Sequence, residues 1–371
     1  MENPFTLLVA KGNDFCDREK ELADLVKAGE NRQNIVFYSP RRYGKTSLVT
    51  KALGVLQSKG FVTSYIDLYH ISSEHDFIES LSNGILNALG RGVDEKTYAQ
   101  KVRDFFGGII MGIELKPDGY AFNLQLGNEV KVERAIDEVM EGMRRYVEDK
   151  RLKVCIALDE FQAVAELKEG KKIEAKLRSH IQFTRDISYF FVGSRRHILK
   201  DMFTNKNRPF YKSADDYQLK EIGKEEFVPY IMQMFAKSGK ECPQAIAEKL
   251  YDLARGYPFY VQKLAQLLWE VTFHTSGEQA LEKAHHILVT KEGAEFEGVW
   301  EGLTLVQKSI LKAIAAAPVA ALYTRSFLEQ HGLSIGGAQK AVKVLIERDL
   351  VEKVDGYYRL TNPIMGGWVL L

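Results

Sequence analysis

Several common features are missing from this sequence of 371 residues, and each absence excludes a class of protein. It has no apolar run of about 18 residues, the length that a membrane-spanning helix needs. Its first residues lack the basic and apolar regions of a secretion signal. Three cysteines, Cys16, Cys155 and Cys242, do not have metal-ligand spacing, which indicates thiols in a reducing compartment. We therefore expect a cytoplasmic protein without a membrane segment.

A charge bias is missing as well. The chain has 51 Lys and Arg residues and 50 Asp and Glu residues, so as a whole it has no electrostatic preference for nucleic acid or anionic membrane. The sequence contains no internal repeat and no low-complexity tract. Its composition, with 45% hydrophobic and 27% charged residues, is that of a globular protein. The length suggests two or three domains.

One early stretch combines a strand pattern, a turn signal and a helix pattern. The apolar residues 35–38 end at a Ser-Pro turn, and Gly-Lys-Thr then opens a segment with helical apolar spacing. This is the order of the phosphate-binding motif Gly, four residues, Gly-Lys-Ser/Thr, with Ser39 in the first glycine position. The predicted nucleotide-binding residues of this loop are Ser39, Pro40, Arg41, Arg42, Tyr43, Gly44, Lys45, Thr46 and Ser47.

The chemistry of phosphate binding explains these residue types. Backbone N–H groups and the helix N-terminus surround the phosphates, Lys45 reaches the β- and γ-phosphates, and the Thr46 hydroxyl holds Mg²⁺. The alternative is a chance Gly-Lys-Thr in a surface loop, and the order of strand, loop and helix argues against it. We therefore expect ATP or ADP with Mg²⁺ at this loop, and we assign Lys45 a catalytic role.

Strand and helix patterns alternate after the loop, with a second strand predicted at residues 61–68. Such alternation predicts an α/β fold with a parallel sheet covered by helices on both faces. The glycine-rich segment 107–130 interrupts this alternation and is interpreted as an inserted hairpin. A structural flap is favoured for it over a partner contact.

Two carboxylates follow a continuous apolar run at residues 154–158. Such a run predicts a strand buried on both faces, and α/β sheets bind ligands at the carboxyl ends of their strands. We predict that Asp159 orients Mg²⁺ and that Glu160 polarises the attacking water. A solvated strand end or a helix cap is the alternative, which would be favoured for an isolated Asp-Glu pair.

A further buried strand is predicted at residues 187–193 and ends in Ser194, Arg195 and Arg196. Ser194 and Arg195 would then lie at the same ligand edge as the two carboxylates. We predict that Ser194 contacts the nucleotide and that Arg195 senses the γ-phosphate, with Arg196 less favoured for this role. The alternative is that both arginines cap a surface.

The C-terminal part of the sequence changes to helical patterns, which gives three predicted domains. Residues 1–222 form the ATPase core, 223–300 a helical lid, and 301–371 a winged helix of three helices and an Asp-Gly hairpin. From residue 303 onward, eight Lys and Arg residues face five Asp and Glu residues. This mixed charge is a weak signal for nucleic acid.

The order of these motifs resembles that of AAA+ and STAND-type P-loop ATPases, and most closely that of the prokaryotic archaeal-type ATPase family. Shared motifs are Asn-Pro-Phe at residues 3–5, Phe15 with Arg18-Glu19 and Glu21-Leu22, and Ser39 through Ser47. The resemblance covers nearly the whole chain. It implies that Phe15 and Arg18 lie near the adenine and that Pro258 of Gly-Tyr-Pro packs on the base.

The family often has an arginine after a Pro-x-Tyr segment, but here Lys212 follows Pro209-Phe210-Tyr211, so Arg208 is the alternative arginine finger. The leading functional prediction is an ATP-hydrolysing molecular switch that could oligomerise on binding ATP, with a DNA or protein partner at the winged helix. The alternative is an ATP-regulated DNA-binding protein. A small-molecule phosphoryl transferase fits poorly, because no acceptor pocket is evident in the C-terminal third.

Overall fold

The computed structural model describes residues 2–7, 16, 18–90, 112–116, 119–123 and 132–371. The chain divides into two compact units. One unit comprises Arg18–Arg41 and Lys45–Leu219 and is called here the core unit. The other comprises Met1–Asp17, Arg42–Gly44 and Lys220–Leu371 and is called the C-terminal unit. Three residues of the phosphate loop therefore belong to the same unit as the C-terminal helices.

The core unit is built on a five-stranded sheet in which every neighbouring pair is parallel, in the order β2-β5-β6-β1-β7. An antiparallel pair, β3 and β4, lies inside the segment predicted as a hairpin. The strands of this unit are β1 (Ile35–Tyr38), β2 (Val62–Asp67), β3 (Gly112–Lys116), β4 (Gly119–Asn123), β5 (Val154–Asp159), β6 (Ile187–Gly193) and β7 (Asp215–Gln218). The predicted α/β class with a parallel sheet is confirmed.

The described residues of this unit contain six α-helices, the first of which precedes β1, and a 3-10 helix at Phe161–Glu166 follows β5. The α-helices are α1 (Glu19–Glu30), α2 (Lys45–Ser58), α3 (Glu74–Leu89), α4 (Val132–Lys150), α5 (Gly170–Ile181) and α6 (Arg196–Thr204). Strands β1, β5 and β6 are buried along their whole length, because helices cover both faces of the sheet. This explains why their sequences are continuous apolar runs.

Strand β7 was not anticipated from the sequence. The Asp-Asp-Tyr-Gln sequence of β7 is mostly exposed and has no apolar alternation. The strand exists because its backbone pairs with β1, with Asp215 opposite Ile35. It lies at the edge of the sheet, where charged side chains are tolerated and protect against pairing with other chains.

The C-terminal unit contains two groups of helices and a second antiparallel hairpin. The helices are α7 (Lys224–Lys237), α8 (Gln244–Ala254), α9 (Pro258–Val271), α10 (Glu278–Glu301), α11 (Leu305–Ala316), α12 (Arg325–Gln330), α13 (Ile335–Glu347) and α14 (Pro363–Leu370). Strands β8 (Val351–Val354) and β9 (Tyr357–Leu360) form the hairpin, which with α11–α13 makes the winged helix. Helices α6, α10 and α14 were not anticipated from the sequence.

The winged helix packs closely on the other helices of its unit. The Trp368 ring of α14 contacts the rings of Phe296 and Trp300 on α10, with centroids 6.0 and 5.9 Å away. The Arg255 guanidinium, just after α8, donates a hydrogen bond of 2.6 Å to the Leu360 carbonyl at the end of β9. None of the helices in the described ranges is long and apolar enough to cross a membrane.

Candidate functional site

The phosphate loop between β1 and α2 contains two backbone positions in the left-handed region. Gly44 has φ of 84° and Arg42 has φ of 65°. Glycine adopts this conformation without steric cost, whereas an arginine adopts it only under constraint from its surroundings. Ser39, in the first glycine position of the motif, is fully buried, and its hydroxyl donates to the Pro40 carbonyl over 3.2 Å.

The ammonium group of Lys45 lies inside this loop, where its Nζ donates to the carbonyls of Ser39 at 3.0 Å and Pro40 at 2.9 Å. The side chain is only 6% exposed. Burial lowers the pKa of Lys45 from 10.5 to about 8, although the nearby carboxylates Glu160 and Asp159 partly offset this effect. A buried cation enclosed by carbonyl oxygens is arranged to receive an anionic group.

Asp159, the last residue of β5, is a buried carboxylate with three hydrogen-bond donors around it. Its Oδ2 accepts from the Thr46 hydroxyl at 3.1 Å and from the Tyr65 hydroxyl of the neighbouring strand β2. Its Oδ1 accepts from the Glu160 N–H at 2.9 Å. The structure thus brings together Thr46 and Asp159, the two predicted Mg²⁺ ligands, although 113 residues separate them in the chain.

This donor set fits Mg²⁺. One hydroxyl and one carboxylate are hard oxygen ligands, and Mg²⁺ at nucleotide sites takes one or two carboxylates together with substrate phosphates and water. The described ranges contain no group of three or more His, Cys, Asp and Glu side chains that could hold a metal without a substrate.

Glu160 follows β5 directly and has a left-handed backbone, with φ of 52°. Its Oε2 accepts two hydrogen bonds, from the Ser194 hydroxyl at 2.9 Å and from the Gln162 side-chain amide. Ser194, predicted to contact nucleotide, is 2% exposed and directs its hydroxyl to Glu160. The carboxyl ends of β5 and β6 meet here, as the sequence predicted.

The two arginines after β6 have different surroundings. The guanidinium of Arg195, the predicted γ-phosphate sensor, pairs with Glu166 of the 3-10 helix and is 41% exposed. The positive charge of Arg196, by contrast, contributes to the lowered pKa of Lys45. Arg196, which the sequence analysis favoured less than Arg195 as the γ-phosphate sensor, thus contributes to the electrostatics at Lys45.

The arginines of the loop contact aromatic rings. Arg41, in the core unit, lies over the Tyr69 ring with its Cζ 5.9 Å from the centroid. Arg42, in the C-terminal unit, lies 4.5 Å from the Phe259 centroid and 3.6 Å from the Glu292 carboxylate. Both contacts hold positive charge beside the loop, because an aromatic face attracts a guanidinium.

Tyr43 and Pro258 both lie in the C-terminal unit, near the start of α9. The Tyr43 ring packs edge-on against Tyr257, with centroids 4.4 Å apart. Pro258, predicted to pack on the base, is the first residue of α9, where its missing N–H is not needed. In the core unit, the predicted adenine neighbour Arg18 is buried and donates to Glu21 at 2.8 Å. Phe15 lies outside the described residues.

Arg208, the alternative arginine finger, forms an ion pair with a buried glutamate. Its guanidinium is 11% exposed and donates at 2.6 Å to Glu174, whose side chain is fully buried. An arginine finger has to reach a phosphate, so a guanidinium held in a buried ion pair does not fit that role. The ion pair with Glu174 therefore does not favour Arg208 as the finger, and this assignment stays a prediction.

The parallel sheet, the phosphate loop after β1 and the carboxylates after β5 define a P-loop ATPase, here followed by a winged helix. The chain belongs to the family described as "ATPase domain predominantly from Archaea", whose model matches residues 15–267. A second model, "Probable winged helix domain", matches residues 294–370. The resemblance inferred from the sequence motifs is confirmed, and the protein is a nucleotide-binding ATPase.

Solved structures with this fold include a Walker-type ATPase of Pyrococcus abyssi, with 19% identity, a TM-score of 0.68 and coverage of 97% of both chains. The ORC2 protein of Aeropyrum pernix, solved in ADPNP–ADP complexes, has 14% identity and a TM-score of 0.59 over 95% of this chain and 92% of that one. The ORC1 protein of the same organism, solved with DNA, has 14% identity and a TM-score of 0.51 over 98% and 94%. The search of curated proteins gave no match.

Proposed function

We propose that this ATPase is a Mg²⁺-dependent molecular switch of the AAA+/STAND type, which hydrolyses ATP slowly to ADP and phosphate. The observation that carries the proposal is the grouping of Lys45, Thr46, Asp159 and Glu160 at one edge of the sheet. Each has the chemistry that phosphoryl transfer to water needs, namely a cation, two oxygen ligands and a carboxylate base.

The roles follow from the geometry of the residues. Lys45 exchanges its two carbonyl partners for phosphate oxygens, because a doubly charged phosphate attracts an ammonium more strongly than a carbonyl does. Mg²⁺, when bound by Thr46 and Asp159, would neutralise negative charge that develops on the phosphates. Glu160 accepts the proton of the attacking water. Arg196 is the better placed of the two arginines to contact the γ-phosphate.

A chain of side-chain contacts inside the C-terminal unit supports the switch. Arg42 of the phosphate loop lies beside Glu292 of α10, and Tyr260 of α9 donates to the same carboxylate at 3.3 Å. Asn362 in turn donates to the Tyr260 hydroxyl at 2.6 Å. Its other amide atom, Oδ1, caps α14 by accepting from the N–H groups of Ile364 and Met365. A change in the loop on ATP binding would thus act on side chains that lead to the winged helix.

Hydrolysis and nucleotide binding by Lys45→Ala and Glu160→Gln test the assignment of the site. We expect Lys45→Ala to lose binding, and Glu160→Gln to bind ATP normally but lose turnover by 100-fold or more, about the contribution of a general base. The switch is tested by small-angle scattering of Glu160→Gln with ATP and with ADP. Identical scattering in the two states would exclude the switch, whereas unchanged turnover in Glu160→Gln would exclude the base.

A second candidate function is ATP-regulated DNA binding through the winged helix. Helix α13 exposes Lys340 and Lys343, and the wing exposes Lys353. Lys343 lies 3.8 Å from Glu347, and Arg359 pairs with Glu221 and Glu352, so part of the positive charge of the domain is compensated. The similar ORC1 protein was solved in complex with DNA, and winged helices generally present their third helix to the major groove.

Duplex DNA affinity at several salt concentrations decides between the two functions. If DNA is the partner, Lys340→Ala and Lys343→Ala should each weaken binding and reduce the salt slope by about one. Lys312→Ala is the matched control, because this lysine is also exposed but lies on α11. An affinity that is unaffected by the α13 substitutions, or a complete lack of binding, would contradict this candidate.

A further inference from the structure

Gln162 has an unusual position for an amide side chain. It lies in the 3-10 helix after β5, next to the fully buried Phe161 and two residues before the buried Val164. Gln162 itself is 3% exposed. Its Nε2 donates to Glu160 Oε2. Its Oε1 is buried and has no hydrogen-bond partner in the described part of the chain. An unpaired buried carbonyl is unfavourable, so the amide is held here for its donor.

The contact defines how the Glu160 carboxylate is oriented. A carboxylate can only accept hydrogen bonds, so the amide nitrogen of Gln162 has to face it. Ser194 donates to the same oxygen, Oε2, from the end of β6. Within the described ranges no hydrogen bond is made to the other oxygen, Oε1. Two donors on one oxygen fix the plane of the carboxylate and leave the second oxygen for a water molecule.

The neighbouring strand is shaped to admit this amide. Gly193 is the last residue of β6, and a Cβ built there would lie 2.0 Å from Gln162 Oε1. Any side chain at this position would therefore displace the Gln162 amide. Gly193, Ser194 and Gln162 thus act on one carboxylate, Gly193 by giving space and the other two by donating.

We propose that Gln162 is a positioning residue for hydrolysis, which together with Ser194 holds Glu160 so that Oε1 faces the attacking water. This inference rests on the proposed role of Glu160 as the base. Gln162 itself has no role in binding the nucleotide, and its effect should appear in kcat alone. It differs in this respect from Lys45 and Thr46, which bind phosphate and metal.

The test compares Gln162→Met and Gln162→Glu with the wild type. Gln162→Met keeps the length of the side chain and removes the donor, so we expect kcat to fall about 10-fold or more while the dissociation constants for ATP and ADP stay unchanged. In Gln162→Glu the introduced carboxyl can donate only when protonated. Its kcat, divided by that of the wild type at the same pH, should therefore rise as the pH falls from 8 to 5.

Further comparisons distinguish a failure of the positioning role of Gln162 from a failure of the proposed base, Glu160. Gly193→Ala should lower kcat in the wild type but much less in a Gln162→Ala background, where the displaced amide is absent. Melting temperatures identify any variant that fails to fold. If Glu160→Gln abolishes turnover and Gln162→Met keeps the wild-type kcat at every pH, the positioning role is wrong and the base stands. If Glu160→Gln retains turnover, the proposed base itself is wrong.

Discussion

Arg42 of the phosphate loop lies 3.6 Å from Glu292 of helix α10, although 250 residues separate them in the sequence. Glu292 is 6% exposed and also pairs with Lys263 of α9, so one buried carboxylate has two cations beside it. Arg42 belongs to the same unit as α9 and α10, so the three side chains form one charge cluster within the C-terminal unit. Of the two ion pairs, that with Lys263 is the tighter, because Arg42 is 44% exposed and beyond direct hydrogen-bonding distance.

Glu292→Gln should lower the free energy of unfolding by about 1–3 kcal/mol, because it removes the charge that compensates a partly buried lysine. A double-mutant cycle with Lys263→Met should give a larger coupling energy than one with Arg42→Met, for which we expect below about 1 kcal/mol. Glu295→Gln is the matched control, since this carboxylate is 60% exposed and 3.9 Å from Arg42. Chemical denaturation of the single and double variants measures these free energies, and equal losses for Glu292→Gln and Glu295→Gln would contradict the prediction.

The buried pair of Glu174 and Arg208 makes a prediction about pH. Burial raises the pKa of Glu174 from 4.5 to about 7, and the Arg208 charge opposes this rise. A carboxyl with a raised native pKa favours the folded state below its unfolded pKa, and this contribution is lost as the pH rises through the native pKa. Arg208→Met, which raises the native pKa further, should therefore cost little stability at pH 5 and about 3–5 kcal/mol at pH 8.

Urea denaturation at the two pH values measures this difference. Asp201→Asn is the control, because Asp201 is 49% exposed and 3.7 Å from the Arg208 guanidinium, and its loss should cost under about 1 kcal/mol at both pH values. A cost of Arg208→Met that is the same at pH 5 and pH 8 would show that Glu174 does not change its charge in this range.

The sequence predicted the central strands β1, β5 and β6 well, because strands buried on both faces have continuous apolar runs. The sequence did not predict β7, whose Asp215 and Asp216 are exposed. This strand depends on its pairing with β1. Of the four residues in Asp-Asp-Tyr-Gln, only the tyrosine favours a strand, and the two aspartates disfavour one. Edge strands of this kind are determined by a neighbour that the sequence does not identify.

In the candidate site, too, some features could be predicted from local sequence and others depend on how the strands pair. The phosphate loop and the Asp-Glu pair are local patterns that can be found in the sequence. Tyr65, in contrast, reaches Asp159 because β2 pairs with β5, and Asp67 is in register with Asp159. Sequence alone did not give this strand order. Likewise, the pairing of Arg195 with Glu166 of the 3-10 helix is a tertiary contact that strand-end patterns do not predict.

Asp159→Asn should separate nucleotide binding from the effect of Mg²⁺. The substitution keeps the size of the side chain but removes its negative charge, so the gain in ATP affinity on adding Mg²⁺ should fall by 10-fold or more. Affinity without Mg²⁺ should stay within about 3-fold, because Lys45 and the loop remain. Asp67→Asn is the matched control. It replaces the neighbouring carboxylate in register, whose Oδ1 accepts from the Tyr69 N–H. Titrations of ATP with and without Mg²⁺ would contradict the assignment if both variants behaved alike.

The lowered pKa of Lys45 predicts that nucleotide binding takes up protons. With a pKa of about 8, half of the free protein has a neutral Lys45 at pH 8, and bound phosphates should raise this pKa because they favour the charged form. Proton uptake should be largest between pH 8 and 9, where the phosphates, which titrate near pH 6, no longer change their charge. Calorimetry in buffers of different ionisation enthalpy measures the uptake.

Lys45→Arg provides the control for this proton uptake. A guanidinium stays charged throughout this pH range, so ADP binding to the variant should release or take up almost no protons at pH 8.5, whatever its affinity. If the wild type shows no uptake at pH 8.5 either, its Lys45 is already charged in the free protein. The carbonyls of Ser39 and Pro40, together with the nearby carboxylates, would then stabilise the ammonium fully against the cost of its burial.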